Sequence, residues 1–313
     1  IVPGLTECLV LWGTNPAQSD NSAFWQHIRA YAAGGGALVV VDPRRTEAAA
    51  IADVWLPVRP GTDAVLALGL LNVIIGEELY DASFVDAWCS GFDELARAVA
   101  PLAPEAVAVT CGVSADDIRR AARLFSGGRA SALVSGRGID QIGAAVAPTH
   151  RALCCLRAIT GNVDKPGACV LAEAPDFVSE LAMEMSDAMP ASCRAAALSS
   201  YRTPLQSYAG YDALRALTER LGRTPPMRYL TSAHPDLVLR AMEEGRPYPI
   251  RALVVQATNP LLTYGDTARV QRALAALDLL VVLEYRLTPT AQLADYVLPI
   301  AGALERPVLQ VHG

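Results

Sequence analysis

The sequence of 313 residues is poor in charged and aromatic residues, which make up 19% and 6% of the chain. Low charge together with 52% hydrophobic residues excludes intrinsic disorder and indicates a large buried core. The formal net charge of −6 argues against a broad electrostatic surface for nucleic acid, so no nucleic-acid partner is expected. By its length, the chain is expected to form two domains.

Long apolar runs are also absent. The longest largely apolar run, residues 64–75, contains Asn72 and has about half the length that a bilayer-spanning helix requires. The sequence opens at Ile1 and shows no signal peptide, and it is interpreted as a piece of a longer protein. We therefore expect no direct membrane insertion, and the compartment, cytoplasmic or periplasmic, stays open.

Metal-ligand and catalytic patterns are missing as well. The seven cysteines include no Cys-x-x-Cys spacing, which argues against a disulfide framework and against a zinc or iron–sulfur site within this chain. The four histidines are scattered, and no Gly-x-Ser-x-Gly elbow or Walker lysine loop occurs. The sequence thus predicts neither a catalytic residue nor a metal ligand here. Because a Gly-x-Gly-x-x-Gly fingerprint is also lacking, an ordinary NAD-binding enzyme is disfavoured.

The sequence does contain alternating strand and helix patterns. Residues 8–12 and 37–41 are apolar runs typical of strands buried on both faces of a parallel sheet, and helical spacing covers 24–33 between them. Such a βαβ unit places ligand-binding loops at the carboxyl ends of its strands. The remaining patterns predict helices at 63–76, 84–89, 115–125, 211–221 and 236–244, a long helix ending near 161, and strands at 130–135 and 252–256.

One arrangement of chemically special residues occurs twice. In each copy an asparagine precedes a proline, an acid ends a strand, and a threonine and an aspartate follow the acid at the same offsets. The first copy consists of Asn15, Asp42, Thr46 and Asp53, and the second of Asn259, Glu284, Thr288 and Asp295. This repeat predicts an α/β fold of two Rossmann-like lobes with mainly parallel sheets, related by a pseudo-twofold duplication. The lobes are expected at 1–170 and, truncated at its C-terminus, at 206–313, with a crossover segment at 171–205.

The repeated residues suit nucleotide binding. An acid at the tip of the second strand accepts hydrogen bonds from a ribose diol, a role that fits Asp42 and Glu284. The alternative for both acids is an ordinary turn or helix cap. Asn15 and Asn259 suit either contact with a ligand or simple Asx turns. Because the arrangement recurs, we favour ligand binding by two similar sites.

Residues outside the repeat add further candidates. Arg44 and Arg45 suit phosphate binding, with a solvated surface pair as the alternative. Asp63 opens a predicted helix, where it either complements the helix dipole or accepts hydrogen bonds from the N1–H and 2-amino edge of guanine. The turn from Gly136 to Gln141 follows a strand and precedes a helix, so it is expected to face a ligand at the edge of the sheet.

Seven motifs follow one another along almost the whole chain. They are Trp12-Gly-Thr-Asn-Pro-Ala-Gln-Ser19, Val41-Asp-Pro-Arg-Arg-Thr46, Arg59-Pro-Gly-Thr-Asp63, Gly136-x-Gly-x-x-Gln141, Thr160-Gly-Asn-Val-Asp-Lys-Pro-Gly167, Thr258-Asn-Pro260 and residues 288–299. In this order they resemble the central domains of the molybdopterin oxidoreductases of the dimethyl sulfoxide reductase and formate dehydrogenase superfamily. The resemblance fails between about residues 172 and 203, where many relatives carry an Arg-Gly-Gln-Asn-Asn-like segment.

The resemblance implies two molybdopterin guanine dinucleotides that together hold one molybdenum or tungsten atom. It assigns one dinucleotide to Trp12, Gly13, Thr14, Asn15, Pro16, Ser19, Asp42, Pro43, Arg44, Arg45, Thr46, Gly61, Thr62 and Asp63. It assigns the other to Thr258, Asn259, Leu283, Glu284 and Arg306. Arg137 and Gln141 are expected near the pterin and the metal. Two cofactor halves agree with a duplicated half-site.

The resemblance also implies parts that lie outside this sequence. The four-iron cluster domain and, in most branches, the protein ligand to the metal would precede Ile1, and a capping domain would follow Gly313. The chain is therefore expected to be inactive alone. In the full-length protein we expect redox or oxygen-atom transfer on a small-molecule substrate, with an iron–sulfur electron-transfer subunit as partner.

A second hypothesis is a non-catalytic electron-transfer or structural subunit. It would resemble the large iron–sulfur subunit of respiratory complex I, which is similar in fold and has lost the molybdenum site. The intact acids Asp42, Asp63 and Glu284 argue against this hypothesis, because a lost site has no reason to keep them.

Overall fold

The computed structural model describes residues 1–19, 23–141, 145–170, 188–198, 208–222, 233–302 and 304–305. It divides the chain into two compact units, Ile1–Glu173 and Ala174–Gly313, called unit 1 and unit 2 below. Most of the predicted crossover at 171–205 and the predicted site residue Arg306 lie outside the described residues. Among the residues described, no helix has the length and apolarity needed to span a bilayer.

Unit 1 is built on one parallel sheet. Its strands are β1 (Cys8–Trp12), β2 (Ala37–Val41), β3 (Val54–Leu56) and β4 (Ser131–Ser135). They pair in the order β3–β2–β1–β4. The helices are α1 (Pro16–Ser19), α2 (Ala23–Ala33), α3 (Glu47–Ala50), α4 (Asp63–Gly76), α5 (Ala82–Trp88), α6 (Phe92–Val99), α7 (Pro104–Cys111), α8 (Ala115–Ser126), α9 (Arg137–Asp140) and α10 (Val146–Ile159).

Both faces of the unit 1 sheet are covered, as the continuous apolar runs predicted. All five residues of β1 are buried. On one face Leu9 and Leu38 pack with Trp25 and Ile28 of α2. On the other face the strands pack against a larger core to which α4, α8 and α10 contribute. Helix α4 contacts α7, α8 and α10, which explains why its sequence is apolar on nearly every side.

Unit 2 contains a smaller parallel sheet. Its strands are β5 (Ala252–Gln256), β6 (Leu279–Leu283) and β7 (Tyr296–Leu298), in the order β5–β6–β7. Its helices are α11 (Ala191–Ala195), α12 (Tyr208–Arg220), α13 (Pro235–Glu244), α14 (Pro260–Thr263) and α15 (Thr267–Ala275), followed by a 3₁₀ turn at Ala291–Leu293. The predicted α/β fold with parallel sheets is therefore confirmed.

One face of the unit 2 sheet packs and the other is exposed. Val255, Leu280 and Val282 pack in one cluster with residues of α13 and α15. On the opposite face Val254 is 64% exposed and Tyr296 is 63% exposed. The two units thus share a strand pattern and differ in how much of the sheet their described helices cover.

The predicted elements lie within three residues of the observed ones, with the largest difference at the start of α12, and two described helices of eight residues were not predicted. Those two are α6 and α7. Helix α7 has little amphipathic character, and both helices are too short for a clear helical period in the sequence.

Candidate functional site

Two loops meet at the carboxyl ends of β1 and β4, and glycine makes their contact possible. Gly13 follows β1 with φ of +60°, a conformation that favours glycine. The N–H of Gly138 donates to the carbonyl oxygen of Gly13 at 3.0 Å. A Cβ atom at Gly136 would lie 2.5 Å from that oxygen, and one at Gly138 would lie 2.8 Å from it. The predicted turn at 136–141 therefore closes against the loop after β1.

These loops border a cavity of about 300 Å³ at the carboxyl edge of the sheet. Six of its lining residues were predicted to bind a ligand: Gly13, Asn15, Asp42, Pro43, Arg44 and Asp63. Two further lining residues, Gly138 and Ile139, belong to the turn at 136–141 that was expected to face a ligand, whereas Val41, Val58 and Pro60 were not predicted to bind one. The structure thus brings together residues from four separate sequence motifs, and Pro60 and Gly138 themselves belong to two of those motifs.

Asp63 is the most buried carboxylate that faces the cavity. It is 5% exposed and forms the first residue of α4, and its Oδ1 accepts a hydrogen bond from the Trp12 indole Nε1–H at 2.9 Å. Trp12 itself is completely buried and does not line the cavity. A carboxylate that only complemented a helix dipole would be solvated, so this burial favours a polar partner inside the cavity.

The turn that precedes Asp63 is hydrogen-bonded to the last residue of α7. The N–H of Arg59 donates to the carbonyl oxygen of Cys111 at 2.8 Å, and the Cys111 thiol lies 3.6 Å from the carbonyl oxygen of Thr62. Burial raises the pKa of the Cys111 thiol, which keeps its proton available for that carbonyl. Asp63 is therefore held in place by its backbone as well as by Trp12.

Asp42 ends β2 and is 8% exposed. Its Oδ1 accepts the backbone N–H of Arg44 at 2.8 Å, so the turn that was the alternative interpretation does form. Its carbonyl oxygen accepts the indole N–H of Trp55 at 2.9 Å. The turn uses one carboxylate oxygen, and Asp42 still lines the cavity together with Arg44.

Asn15 carries an unsatisfied buried atom. Its Nδ2 donates to Oε2 of Glu47 at 3.2 Å, whereas its Oδ1 is buried and has no hydrogen-bond partner among the described residues. Its side chain thus forms no Asx turn. The pKa of Glu47 is lowered chiefly by its own backbone N–H and also by the Asn15 amide. Glu47 was not predicted, because nothing in its spacing links it to Asn15, 32 residues away.

The other predicted residues of unit 1 do not line the cavity. The Thr46 hydroxyl caps α3 by accepting the N–H of Ala49 at 3.2 Å, and the Thr62 hydroxyl donates to the carbonyl oxygen of Arg59 at 2.7 Å. Exposed at the surface are Ser19, Arg45, Arg137 and Gln141. In the neighbouring turns and the start of α1 lie Thr14, Pro16 and Gly61.

In unit 2 the corresponding residues also follow the carboxyl ends of strands. Asn259 follows β5, and its Oδ1 accepts from the Thr290 hydroxyl at 2.6 Å and from the Thr290 N–H at 3.3 Å. Glu284 follows β6, and its Oε1 accepts the N–H of Tyr285 at 2.9 Å. Leu283 is half-buried and Thr258 is exposed.

A larger cavity of about 650 Å³ lies near the amino ends of β1 and β2. Its lining includes Thr6, Glu7, His27 and Tyr31, and none of the predicted site residues. Ligands of parallel α/β sheets bind at the carboxyl ends of the strands, so size alone does not make this cavity the site. In the part of the chain that the structure describes, no group of three His, Cys, Asp or Glu residues is arranged to hold a metal ion.

Comparison with known proteins gives concordant matches over the whole chain. A family model described as molybdopterin oxidoreductase matches residues 6–311. Acetylene hydratase from Syntrophotalea acetylenica is 36% identical over 307 residues, which cover 97% of this chain and 42% of that protein. Formate dehydrogenase H from Escherichia coli strain K12 is 29% identical over 296 residues, which cover 94% of this chain and 39% of that protein.

A solved structure matches as well. The structure of acetylene hydratase from Pelobacter acetylenicus is similar with a TM-score of 0.84 at 36% identity, and the match covers 98% of this chain and 42% of that one. The chain therefore spans about two fifths of the length of these relatives.

Proposed function

This chain belongs to the molybdopterin oxidoreductase family, and we propose that it is the part of a molybdenum or tungsten enzyme that binds two molybdopterin guanine dinucleotides. The predicted resemblance to this family is confirmed by the same matches. For the whole enzyme we propose redox or oxygen-atom transfer on a small substrate, because formate dehydrogenase H is among the relatives. A four-iron cluster and an iron–sulfur electron-transfer partner outside this chain belong to the same proposal.

A second candidate reaction is the addition of water to a small unsaturated substrate. The observation that favours it is the 36% identity with acetylene hydratase, against 29% with formate dehydrogenase H. The role of this chain is the same in both reactions, since each requires the cofactor to be held in a fixed place. When bound, the cofactor supplies the metal chemistry.

The single observation that carries the binding role is the buried Oδ1 of Asn15, which lines the cavity and has no hydrogen-bond partner in the described part of the chain. Buried polar atoms are almost always hydrogen-bonded, so an orphaned acceptor next to a cavity indicates a donor that arrives with a ligand. The cavity volume of about 300 Å³ suits the nucleoside end of a dinucleotide. The residues present therefore fit the cofactor that the family implies.

Each cavity residue has a role that its chemistry supports. The Asp63 carboxylate accepts hydrogen bonds from the N1–H and 2-amino groups of guanine, and Asp42 accepts from the ribose hydroxyls. Arg44 presents a planar guanidinium to the pyrophosphate. Asn15 accepts a donor from the ligand through Oδ1. These residues bind and orient the cofactor, and none of them is assigned a bond-making step.

Unit 2 is proposed to bind the second dinucleotide. Glu284 is suited to the ribose of that half, and Thr258, Asn259, Leu283 and Arg306 are its further contacts in this proposal. The support is the identical order of the repeated residues in the two units and the matching offsets from the acid to the threonine and the aspartate. Arg137 and Gln141 remain proposed neighbours of the pterin.

The test is the metal and nucleotide content of the purified full-length enzyme carrying Asp63→Ala. We expect molybdenum or tungsten, and the guanine nucleotide released by acid, to fall severalfold per protein, because the base loses its acceptor. The matched control is Asp116→Ala, since Asp116 also lies in the first turn of a helix but its side chain is 96% exposed. Equal metal and nucleotide content in parent and Asp63→Ala protein would contradict the assignment. A parent without metal or pterin would favour the non-catalytic subunit.

A further inference from the structure

We propose that Trp12 is a positioning residue that determines base selectivity by orienting the Asp63 carboxylate; this inference rests on the proposed guanine site. The resemblance to the family places Trp12 among the residues around the cofactor. The structure buries its side chain completely, outside the lining of the cavity. Trp12 therefore acts on a ligand only through what its indole touches.

The indole of Trp12 has one polar atom, and that atom is bonded to Asp63. Nε1–H donates to Oδ1 at 2.9 Å, across 51 residues of sequence, between two residues that are 0% and 5% exposed. The other oxygen, Oδ2, has no hydrogen-bond partner among the described residues, and Asp63 lines the cavity. The bond from Trp12 thus occupies one of the two lone pairs of Oδ1, so that Oδ1 and Oδ2 each keep an acceptor site for a ligand.

Recognition of guanine requires a carboxylate in a defined plane. Guanine offers two parallel donors, N1–H and the 2-amino group, so both carboxylate oxygens must lie in the plane of the base. The terminal torsion of an aspartate is intrinsically broad, and the free N–H groups of the first turn of α4 compete for its oxygens. The bond from Trp12 restricts this torsion in a carboxylate that lines the cavity.

The same geometry disfavours adenine. The Watson–Crick edge of adenine has an acceptor at N1 and a single amino donor, so a fixed carboxylate facing it meets a lone pair. A buried acceptor that faces another acceptor leaves both unsatisfied, and such mismatches reject an analogue more strongly than a lost contact does. A carboxylate free to rotate avoids part of this mismatch. Selectivity, rather than affinity alone, is therefore the property that Trp12 controls.

The experiment is calorimetric titration of the full-length protein, purified without bound cofactor, with GDP and with ADP, in the parent and in Trp12→Phe. We expect the parent to prefer GDP by about a hundredfold and the variant to lose about tenfold of that preference. The matched control is Trp55→Phe, which removes an indole N–H from the carbonyl oxygen of Asp42 instead. This control is expected to keep the GDP-to-ADP ratio of the parent, whatever happens to its absolute affinity.

Phenylalanine is smaller than tryptophan, so Trp12→Phe is compared with a second replacement that keeps the ring shape. Site-specific incorporation of β-(3-benzothienyl)alanine at position 12 retains the bicyclic ring and lacks the N–H donor. If this protein folds and still prefers GDP over ADP as strongly as the parent does, the positioning role of Trp12 is wrong. If the parent itself shows no preference for GDP, the guanine site proposed above fails first, which separates the two results.

Discussion

The two sheets of this protein share a frame of backbone bonds and differ in what surrounds it. In each unit the first two strands pair in parallel over five residues and the next strand over three. Asp53 accepts the N–H of Leu38 at 2.8 Å, and Asp295 accepts the N–H of Leu280 at 2.7 Å. The repeated aspartates therefore stabilise the sheets, so repetition alone does not identify a residue that contacts a ligand.

The turns repeat as closely as the strands. Thr46 and Thr288 each accept, at 3.2 Å, the N–H of the residue three positions later. Gly13 and Ala257 occupy the same place after the first strand, with φ of +60° and +54°. Local hydrogen bonds between near neighbours thus reproduce the same loop from two different sequences.

The two matched asparagines differ in their hydrogen bonds. Asn259 has its Oδ1 satisfied by Thr290, whereas Asn15 has its Oδ1 buried without a partner among the described residues. The position that Thr290 occupies in unit 2 is taken in unit 1 by Ala48, which has no side-chain donor. A single residue in the turn therefore decides whether this amide serves the fold or stays available to a ligand.

Burial separates the two sheets more strongly. Val10 in β1 is 4% exposed and its equivalent in β5, Val254, is 64% exposed. In unit 1 the helices between β3 and β4, together with α10, cover the face that carries Val10. In unit 2 the described helices α13 and α15 pack on the opposite face. The same residue type at equivalent strand positions is thus expected to contribute unequally to stability.

The largest effect that we expect comes from truncating this pair of valines. Val10→Ala should lower the free energy of unfolding of unit 1 by about 2 kcal/mol, because it leaves a cavity in a covered core. Val254→Ala should change the stability of unit 2 by less than about 0.5 kcal/mol, because the side chain is mostly exposed.

Denaturant titration followed by tryptophan fluorescence reports on unit 1, since all four tryptophans lie before residue 89. Hydrogen exchange of peptides that cover β5 reports on unit 2. Equal losses for the two valine variants would show that the exposed face of the unit 2 sheet is covered in solution.

An alkaline pH series should give a second difference, whose size depends on how far the pH is raised. Burial, with a smaller contribution from Asp53, raises the pKa of Cys8 from 9.0 to about 12, whereas the equivalent residue of unit 2 is Ala252. A raised pKa means that the unfolded chain loses the proton first, so stability is complete below pH 9 and falls as the pH rises toward 12. The slope contributed by Cys8 is about 1.4 kcal/mol per pH unit in that window.

The free energy of unfolding of unit 1, measured by tryptophan fluorescence, should therefore fall less steeply above pH 9 in Cys8→Ala than in the parent. Burial also raises the pKa of Tyr31, so part of the decline should remain in the variant. A variant whose stability falls with pH as steeply as that of the parent would refute the role assigned to the Cys8 thiol.

Ala48→Ser is expected to change stability least and to weaken GDP binding. Ala48→Ser places a hydroxyl donor where unit 2 has Thr290, so it should satisfy Oδ1 of Asn15 and add at most about 1 kcal/mol to the stability of unit 1. GDP affinity measured by calorimetry should fall, because the amide is then occupied by the protein. Ala49→Ser is the control, since Ala49 is also buried but is not the equivalent of Thr290. Undiminished GDP binding by Ala48→Ser would remove Asn15 from the ligand contacts.

Much of the fold was open to prediction from local pattern. The strands at 8–12, 37–41 and 252–256 and the long helix α4 were recognised because their apolar runs are continuous. The short helices α6 and α7 were not, because eight residues give too few turns for a clear period.

The site was predictable residue by residue but not as a set of contacts. Motif order pointed to Asn15, Asp42 and Asp63, and the structure places all three around one cavity. The bonds that give them distinct properties join residues far apart in sequence, such as Asn15 to Glu47 and Trp12 to Asp63. Sequence spacing carries no signal for such pairs, because they depend on how separate elements pack.

The amino-acid sequence by itself determined the family, the alternation of strands and helices, and the duplicated frame of turns. These features arise from hydrophobic period and from hydrogen bonds between near neighbours, which the chain specifies locally. Within the described ranges, tertiary structure alone decided which of the two matched asparagines keeps a free acceptor, which sheet is covered on both faces, and that Trp12 holds Asp63. Burial and desolvation are properties of the packed molecule, and they give matched residues different exposure and different hydrogen bonds.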